Sequence, residues 1–235
     1  MAEAVEGKQD TKYADFGTLC HWRTQELIHA EFSEGAEPPT AEQFESACQL
    51  HGGDAATCRD MVERVAERAA LRLAGVGQSW FAETDWKRFN LTGHIDFLSR
   101  DHDIIVDLKT TSRKPTHNRI KPAHLIQMVA YWLLTEKRPT KGYVLYVDTQ
   151  KSAWSLLCPL DYGSAGIQDI AKQIEGYLSY LMSARLASDC VPRLGSHCSE
   201  EFCPYRARCK DVYVPPPGDI DETKDRLPSI ILQGL

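Results

Sequence analysis

Val62, Val65, Ala69 and Leu73 recur at spacings of three, four and four through an otherwise charged stretch. On a helix of 3.6 residues per turn those positions form one stripe, so the pattern predicts an amphipathic helix over 55–73, closed by Gly75-Val76-Gly77. The same period returns in Ile167, Ile170, Ala171, Ile174, Leu178 and Leu181, which predicts a long helix over 164–186. Earlier in the chain, 15–32 and 40–50 read as helices separated by a turn at 34–39, and His51-Gly52-Gly53-Asp54 breaks the second. Pro122 suits the first turn of a further helix reaching about residue 135.

Between the helices the period shortens. Residues 79–86 are rich in aromatics, and the runs 90–98 and 104–110 are joined by a polar turn short enough to make them an antiparallel hairpin. Residues 142–148 and 153–157 add two strands. Helices, three strands, a helix and further strands predict an α/β protein with a central sheet flanked by helices. The expected organisation is a single domain over 1–213 and a loosely ordered tail over 214–235, which holds Pro215-Pro216-Pro217.

Composition changes this picture in three places. With 235 residues, 43% of them hydrophobic, the chain can fill one large core. No run approaches the ~18 apolar residues of a membrane span, and the polar first ten residues lack a signal peptide's apolar core. The expectation is a cytoplasmic protein with no membrane partner. The net charge of −6 speaks mildly against nucleic acid, yet no acidic residue occurs from Leu108 to Thr135. That stretch carries Lys109, Arg113, Lys114, Arg119 and Lys121, with His117 and His124 among them. Such a run is either a solvated loop or a basic rim for phosphates.

The chemistry gathers where this run begins. Gly93-His94-Ile95-Asp96 is followed by Ile105-Val106-Asp107-Leu108-Lys109. Asp107 and Lys109 are two apart, so on a strand they share a face. Charges directly after an apolar run cost free energy unless they are paired or bind metal. Two converging carboxylates hold a hard divalent cation, and a Lys beside it can orient a water. The alternative is a buried structural ion pair. Gln127 and Tyr131 lie four apart in an apolar helix and therefore share its face.

Taken together, Gly93-x-x-Asp96, Asp107-Leu108-Lys109 and Gln127-x-x-x-Tyr131 resemble the motifs of the PD-(D/E)XK nuclease superfamily, and within it the RecB-like branch of CRISPR-associated and phage exonucleases. The resemblance spans about residues 17–148. It implies a restriction-endonuclease-like core with a helical N-terminal part. It also implies Mg2+ or Mn2+ held by Asp96, Asp107 and the Leu108 carbonyl, and catalysis by Asp96, Asp107 and Lys109. Gly17-x-x-x-His21 matches the family's helical histidine, which would make His21 a further metal ligand; His51 and Glu63 compete for that place. Glu83 looks like a supporting family Glu. Gln127 and Tyr131 would contact substrate near the site, and Arg113, Lys114, Arg119 and Lys121 would bind flanking phosphates.

Cys190-x7-Cys198-x4-Cys203-Pro204-x4-Cys209 crowds four of the eight cysteines into twenty residues. The family's C-terminal cysteine group holds a 4Fe-4S cluster, so these four are expected to ligate a cluster or, alternatively, a structural Zn2+, clipping the C-terminal segment to the core. The first gap here is four residues where the family usually has two. Cys20 competes with Cys190 as the fourth ligand. Cys48, Cys58 and Cys158 read as buried thiols. The function expected is metal-dependent DNA hydrolysis, exonucleolytic by resemblance, in recombination, repair, phage or CRISPR-type DNA processing with the protein partners such pathways use. The rival is a module of the same fold that binds DNA or assembles with partners without cutting.

Overall fold

The computed structural model describes residues 11–32, 37–88, 91–115, 117, 119–135, 139–150 and 154–183. Residues 10–172 form one compact unit; residues 1–9 and 173–235 form another, of which 173–183 are described. No described helix is long and apolar enough to cross a membrane.

Three helices come first: α1 (Thr11–Leu27), α2 (Ala41–Cys48) and α3 (Ala55–Ala74). A capping box starts α2: Gln43 N–H donates to Thr40 Oγ1 at 3.2 Å and Thr40 N–H to Gln43 Oε1 at 2.9 Å. Asp54 caps α3 by accepting Ala56 N–H at 3.0 Å. The turn that separates α2 from α3 puts Gly52 and Gly53 at φ of +73° and +80°, the left-handed region that glycine enters without steric cost.

The sheet has six strands in the order β1 (Glu31–Phe32), β2 (Trp80–Arg88), β3 (Leu91–Ser99), β4 (Ile104–Thr111), β5 (Lys141–Asp148) and β6 (Ser155–Asp161). The pairs β2–β3, β3–β4 and β5–β6 are antiparallel, whereas β1–β2 and β4–β5 are parallel. The parallel pair β4–β5 needs a crossover, and α4 (Pro122–Leu134) supplies it, with Pro122 in its first turn. A fifth helix, α5 (Ala165–Ser183), follows β6.

The three N-terminal helices bury Phe16, Leu19, Val65, Ala69 and Leu73 in one core with Val106, Leu108, Leu145 and Val147 of the sheet. Strand alternation therefore turns Ile105, Asp107 and Lys109 of β4, and Val144 and Tyr146 of β5, to the opposite face. There Tyr162 donates to the carbonyl of Met128 in α4 at 3.3 Å and stacks on Trp132.

Several boundaries differ from the sequence reading, and two of the shifts have a visible physical cause. The first helix stops at Leu27 rather than near residue 32. Ala30 N–H bonds to the Gln25 carbonyl and His29 N–H to that of Glu26, with His29 at φ +51°. This is a Schellman stop in which His takes the place usually held by Gly. Glu31 and Phe32 then leave the helix to pair beside Phe81 and Ala82, and Phe32 stacks on Trp22 with ring centroids 4.6 Å apart. The last strand runs to Asp161, past Pro159, because β6 is an edge and a missing N–H costs an edge strand little.

Candidate active site

The paired stretch of β3 and β4 is short: Phe97 pairs with Val106 and Leu98 with Ile105. One residue further, where Asp96 would face Asp107, no pairing continues. The Leu108 N–H that a neighbouring strand would otherwise accept is taken instead by Asp96 Oδ2 at 2.8 Å. The site is thus built at a split in the sheet, with a carboxylate standing in for a peptide carbonyl.

Asp107 is fully buried. Lys109 Nζ lies 2.9 Å from both its oxygens and donates to Oδ1. Oδ2 receives no hydrogen bond among the described residues. That oxygen keeps lone pairs a cation could use, with the Lys109 ammonium beside it. The charge on Lys109 is only partly withdrawn from water, its side chain being 24% exposed.

On the other side of the split, β2 brings Glu83 level with Asp96, between the pairs Ala82–Phe97 and Thr84–Ile95. Glu83 has φ +49°, a left-handed conformation that a non-glycine residue holds inside a strand at some cost. From α1, Gln25 donates to Glu83 Oε1 at 2.7 Å. One turn earlier on the same helix face, His21 Nδ1 approaches Asp96 Oδ2 to 3.5 Å. One ligand atom from each of His21, Glu83 and Asp96 lies within 4.8 Å of the others, close enough to share a metal ion. These three residues, with Leu108 and Lys109, line a cleft of about 560 Å3, rimmed by Tyr13 and Trp22.

The electrostatics follow from burial. Burial pushes the Asp96 carboxyl up to about 7, with Glu83 adding to the rise and Lys109 and the Leu108 N–H opposing it. Burial and then the Asp96 charge raise Asp107 to about 7 as well, against the pull of Lys109 and His21. The His21 imidazole is pushed down, first by burial and then by Lys109. Burial therefore shifts Asp96, Asp107 and His21 toward their neutral forms, and a cation entering the cleft would reverse the balance at the two aspartates.

Gln127 and Tyr131 do share a face of α4: Gln127 Nε2 donates to Tyr131 Oη at 2.7 Å. Burial, followed by the charges of Asp96 and Asp107, raises the Tyr131 phenol, so it stays protonated beside the carboxylates. Gly93 explains why this helix comes so close. A Cβ on Gly93 would sit 2.7 Å from Leu134 Cδ1 and 3.2 Å from Tyr131 Cε1. Neither Gln127 nor Tyr131 lines the cleft itself.

Arg113, Lys114, Arg119 and Lys121 are exposed between β4 and α4 and also lie outside the cleft lining. His51 packs edge-on against Phe16, and Glu63 is held by Arg23 at 2.7 and 2.9 Å; neither competitor for the place of His21 lines the cleft. Cys20, Cys48, Cys58 and Cys158 are buried and outside any disulfide. Cys190, Cys198, Cys203 and Cys209, and the tail over 214–235, lie outside the described residues. Sequence reasoning gave Glu83 a supporting part only and passed over Gln25. The one available signal for Gln25 was its position four residues after His21.

The family model of the PD-(D/E)XK nuclease superfamily matches residues 2–210. No curated protein matches the chain. Among solved structures, the crystal structure of SSO0001 is similar at 16% identity, covering 83% of this chain and 96% of that one with a TM-score of 0.36. A likeness that distant carries no argument.

Proposed function

The chain belongs to the PD-(D/E)XK nuclease superfamily, and from that premise we propose that it is a divalent-metal-dependent deoxyribonuclease of the RecB-like branch. Members of the superfamily are generally nucleases, act on nucleic acid and typically use Mg2+ or Mn2+. The observation that carries the reading is that His21, Glu83 and Asp96 lie close enough to share one ion in a cleft that Lys109, the partner of Asp107, also lines.

His21, Asp96, Asp107 and the Leu108 carbonyl would hold the cation, and Glu83 joins them by its place beside His21 and Asp96. The donor set fits a hard ion: mostly carboxylate oxygens and one imidazole. A cation bound there supplies positive charge to a phosphate oxygen and makes a nearby water more acidic. Lys109 orients that water and offsets charge on the phosphate as the bond breaks. Gln127 and Tyr131 bind substrate from α4, while Arg113, Lys114, Arg119 and Lys121 take flanking phosphates without reading sequence. The motif pattern favours exonucleolytic action in recombination, repair, phage or CRISPR-type processing, with protein partners from those pathways. By the same resemblance Cys190, Cys198, Cys203 and Cys209 ligate an iron–sulfur cluster or a Zn2+.

The test is cleavage of an end-labelled DNA oligonucleotide with Mg2+, with Mn2+ and with chelator, by the wild type, Asp107→Ala and Lys109→Ala. Metal-dependent cutting that either substitution abolishes supports the proposal. Near wild-type cutting by either variant would remove these residues from the chemistry. Tight DNA binding by the wild type with no cutting in any metal would favour the non-cleaving rival.

A further inference from the structure

The residues assigned to substrate contact on α4 leave out a side chain on the same face. His124 lies three residues before Gln127 and seven before Tyr131, so the three form one stripe along the helix. The parallel register of β4 and β5 sets Tyr146 directly beside Lys109. His124 Nδ1 meets the hydroxyl of Tyr146 at 2.8 Å, with ring centroids 5.5 Å apart. We infer that His124 is a DNA-binding residue of this site, its imidazole held in one tautomer by Tyr146 so that Nε2–H donates to a phosphate oxygen of the strand being cut. The inference rests on the nuclease reading above and adds to it a residue and the class of atom it recognises.

The hydrogen-bond arithmetic fixes the tautomer. Tyr146 is fully buried, and its hydroxyl already accepts the backbone N–H of Lys121 at 3.0 Å. The phenol proton then needs an acceptor, because leaving a buried donor unpaired costs free energy. Among the described residues the one acceptor in reach is His124 Nδ1. If His124 donated from Nδ1 instead, the buried phenol proton would have no partner. Nδ1 therefore accepts, the ring proton sits on Nε2, and Nε2 lies on the ring edge turned away from Tyr146.

The charges agree. Burial, then Lys109 and Lys121, push the His124 imidazole down to about 4, so it is neutral and can accept at Nδ1. Burial pushes the Tyr146 phenol up to about 12, so it keeps the proton it must give. A neutral donor also suits the location. Lys109 already brings a positive charge to this face, and a third party that is charged would raise the desolvation cost before any phosphate arrives. The Tyr146 hydroxyl does a second job through Lys121 N–H: it ties the residue just ahead of Pro122 to β5, which sets where the first turn of α4, and hence His124, begins.

The experiment uses the full chain and an end-labelled DNA oligonucleotide. Binding is read by fluorescence anisotropy with Ca2+ replacing Mg2+, and cutting is read with Mg2+. His124→Ala should weaken binding about tenfold, the worth of a hydrogen bond to a charged group, while its metal-induced thermal shift stays as in the wild type. His124→Gln, whose amide nitrogen reaches about where Nε2 lies, should recover most of the loss. Replacing single phosphates by uncharged methylphosphonates should reveal one position that costs the wild type affinity and costs His124→Ala nothing further.

Tyr146 acts through His124 as a positioning residue. Tyr146→Phe should show an intermediate loss, and long-range 1H–15N spectra should show its His124 ring distributed over both tautomers. In the wild type the same spectra should show Nε2–H alone, with the Nε2 signal moving when DNA is added. These spectra stand even where an alanine variant does not fold. His124→Ala binding within about twofold of a wild type that binds and cuts, or a wild-type ring protonated at Nδ1, would overturn the role of His124 and leave the nuclease reading untouched. A wild type that neither binds nor cuts DNA would overturn both.

Discussion

Asp96 and Asp107 are buried close enough to feel one another's charge, which fixes how the cleft responds to pH. Each carboxyl is raised to about 7 by burial, so each binds its proton more tightly in the folded chain than in the unfolded one. The stability this confers is complete below the ordinary carboxylate range and is lost as pH rises through about 7. A divalent cation competes with the proton for the same oxygens, so it stabilises most where the proton has left. Thermal unfolding is therefore expected to show a Mg2+ or Mn2+ shift that is larger at about pH 8 than at about pH 6. A shift that is equal or larger at the lower pH would mean that the cation binds elsewhere.

At the scale of elements, the close approach of β3 to α4 ties fold to function. Gly93 leaves no room for a Cβ against Leu134 and Tyr131. Gly93→Ala should overpack that contact by roughly 1–3 kcal/mol, lowering Tm by several degrees, about 2–4 °C per kcal/mol for a chain of this size. Cutting should slow as Tyr131 and Gln127 shift, while the metal-induced thermal shift remains, because no cation ligand has moved. A variant with wild-type Tm and rate would show that the helix has slack there.

This contact also marks what the sequence could and could not disclose. Val62, Val65, Ala69 and Leu73 announce α3 because a period along the chain is local information, and the helix runs Ala55–Ala74. Asp96, Asp107 and Lys109 were legible for the same reason: the motif and the strand are written in consecutive residues. The end of α1 was not, since His29 makes a left-handed stop without the glycine that usually signals one. The place of Glu83 beside Asp96 could not be read from the sequence, because it depends on lying level with Asp96 and on a backbone twist that no pattern of apolar residues encodes. The split between β3 and β4 was invisible too. The short turn between the two strands predicts a hairpin paired along its whole length, and Asp96 takes over the Leu108 N–H only in three dimensions.

For the whole molecule, an acidic protein must bring a polyanion to one edge. The net charge is −6, yet Arg113, Lys114, Arg119 and Lys121 are all exposed between β4 and α4. If all four take phosphates, log Kd for DNA should vary with log salt with a slope magnitude of roughly 3–4, measurable by anisotropy over a few-fold range of salt. Arg113→Ala should lower that slope by about 1, uniformly across oligonucleotide sequences. A slope near zero would mean that the basic run stays in solvent and the acidic body sets the encounter.

The Leu108 amide has a consequence beyond holding the sheet open. An ordinary strand amide points at a peptide carbonyl whose charge never changes, but this one points at a carboxylate that burial moves to about 7 and that we propose holds the cation. Its proton resonance should therefore act as a built-in gauge. It should move as Asp96 gains or loses its proton, and move again when a cation draws on the same group, with nothing attached to the protein and no substrate present. Followed by 1H–15N spectroscopy through a pH series and a Mg2+ series, that single peak would report the occupancy of the cleft. A Leu108 peak indifferent to both series would mean that Asp96 neither titrates nor binds where the geometry places it.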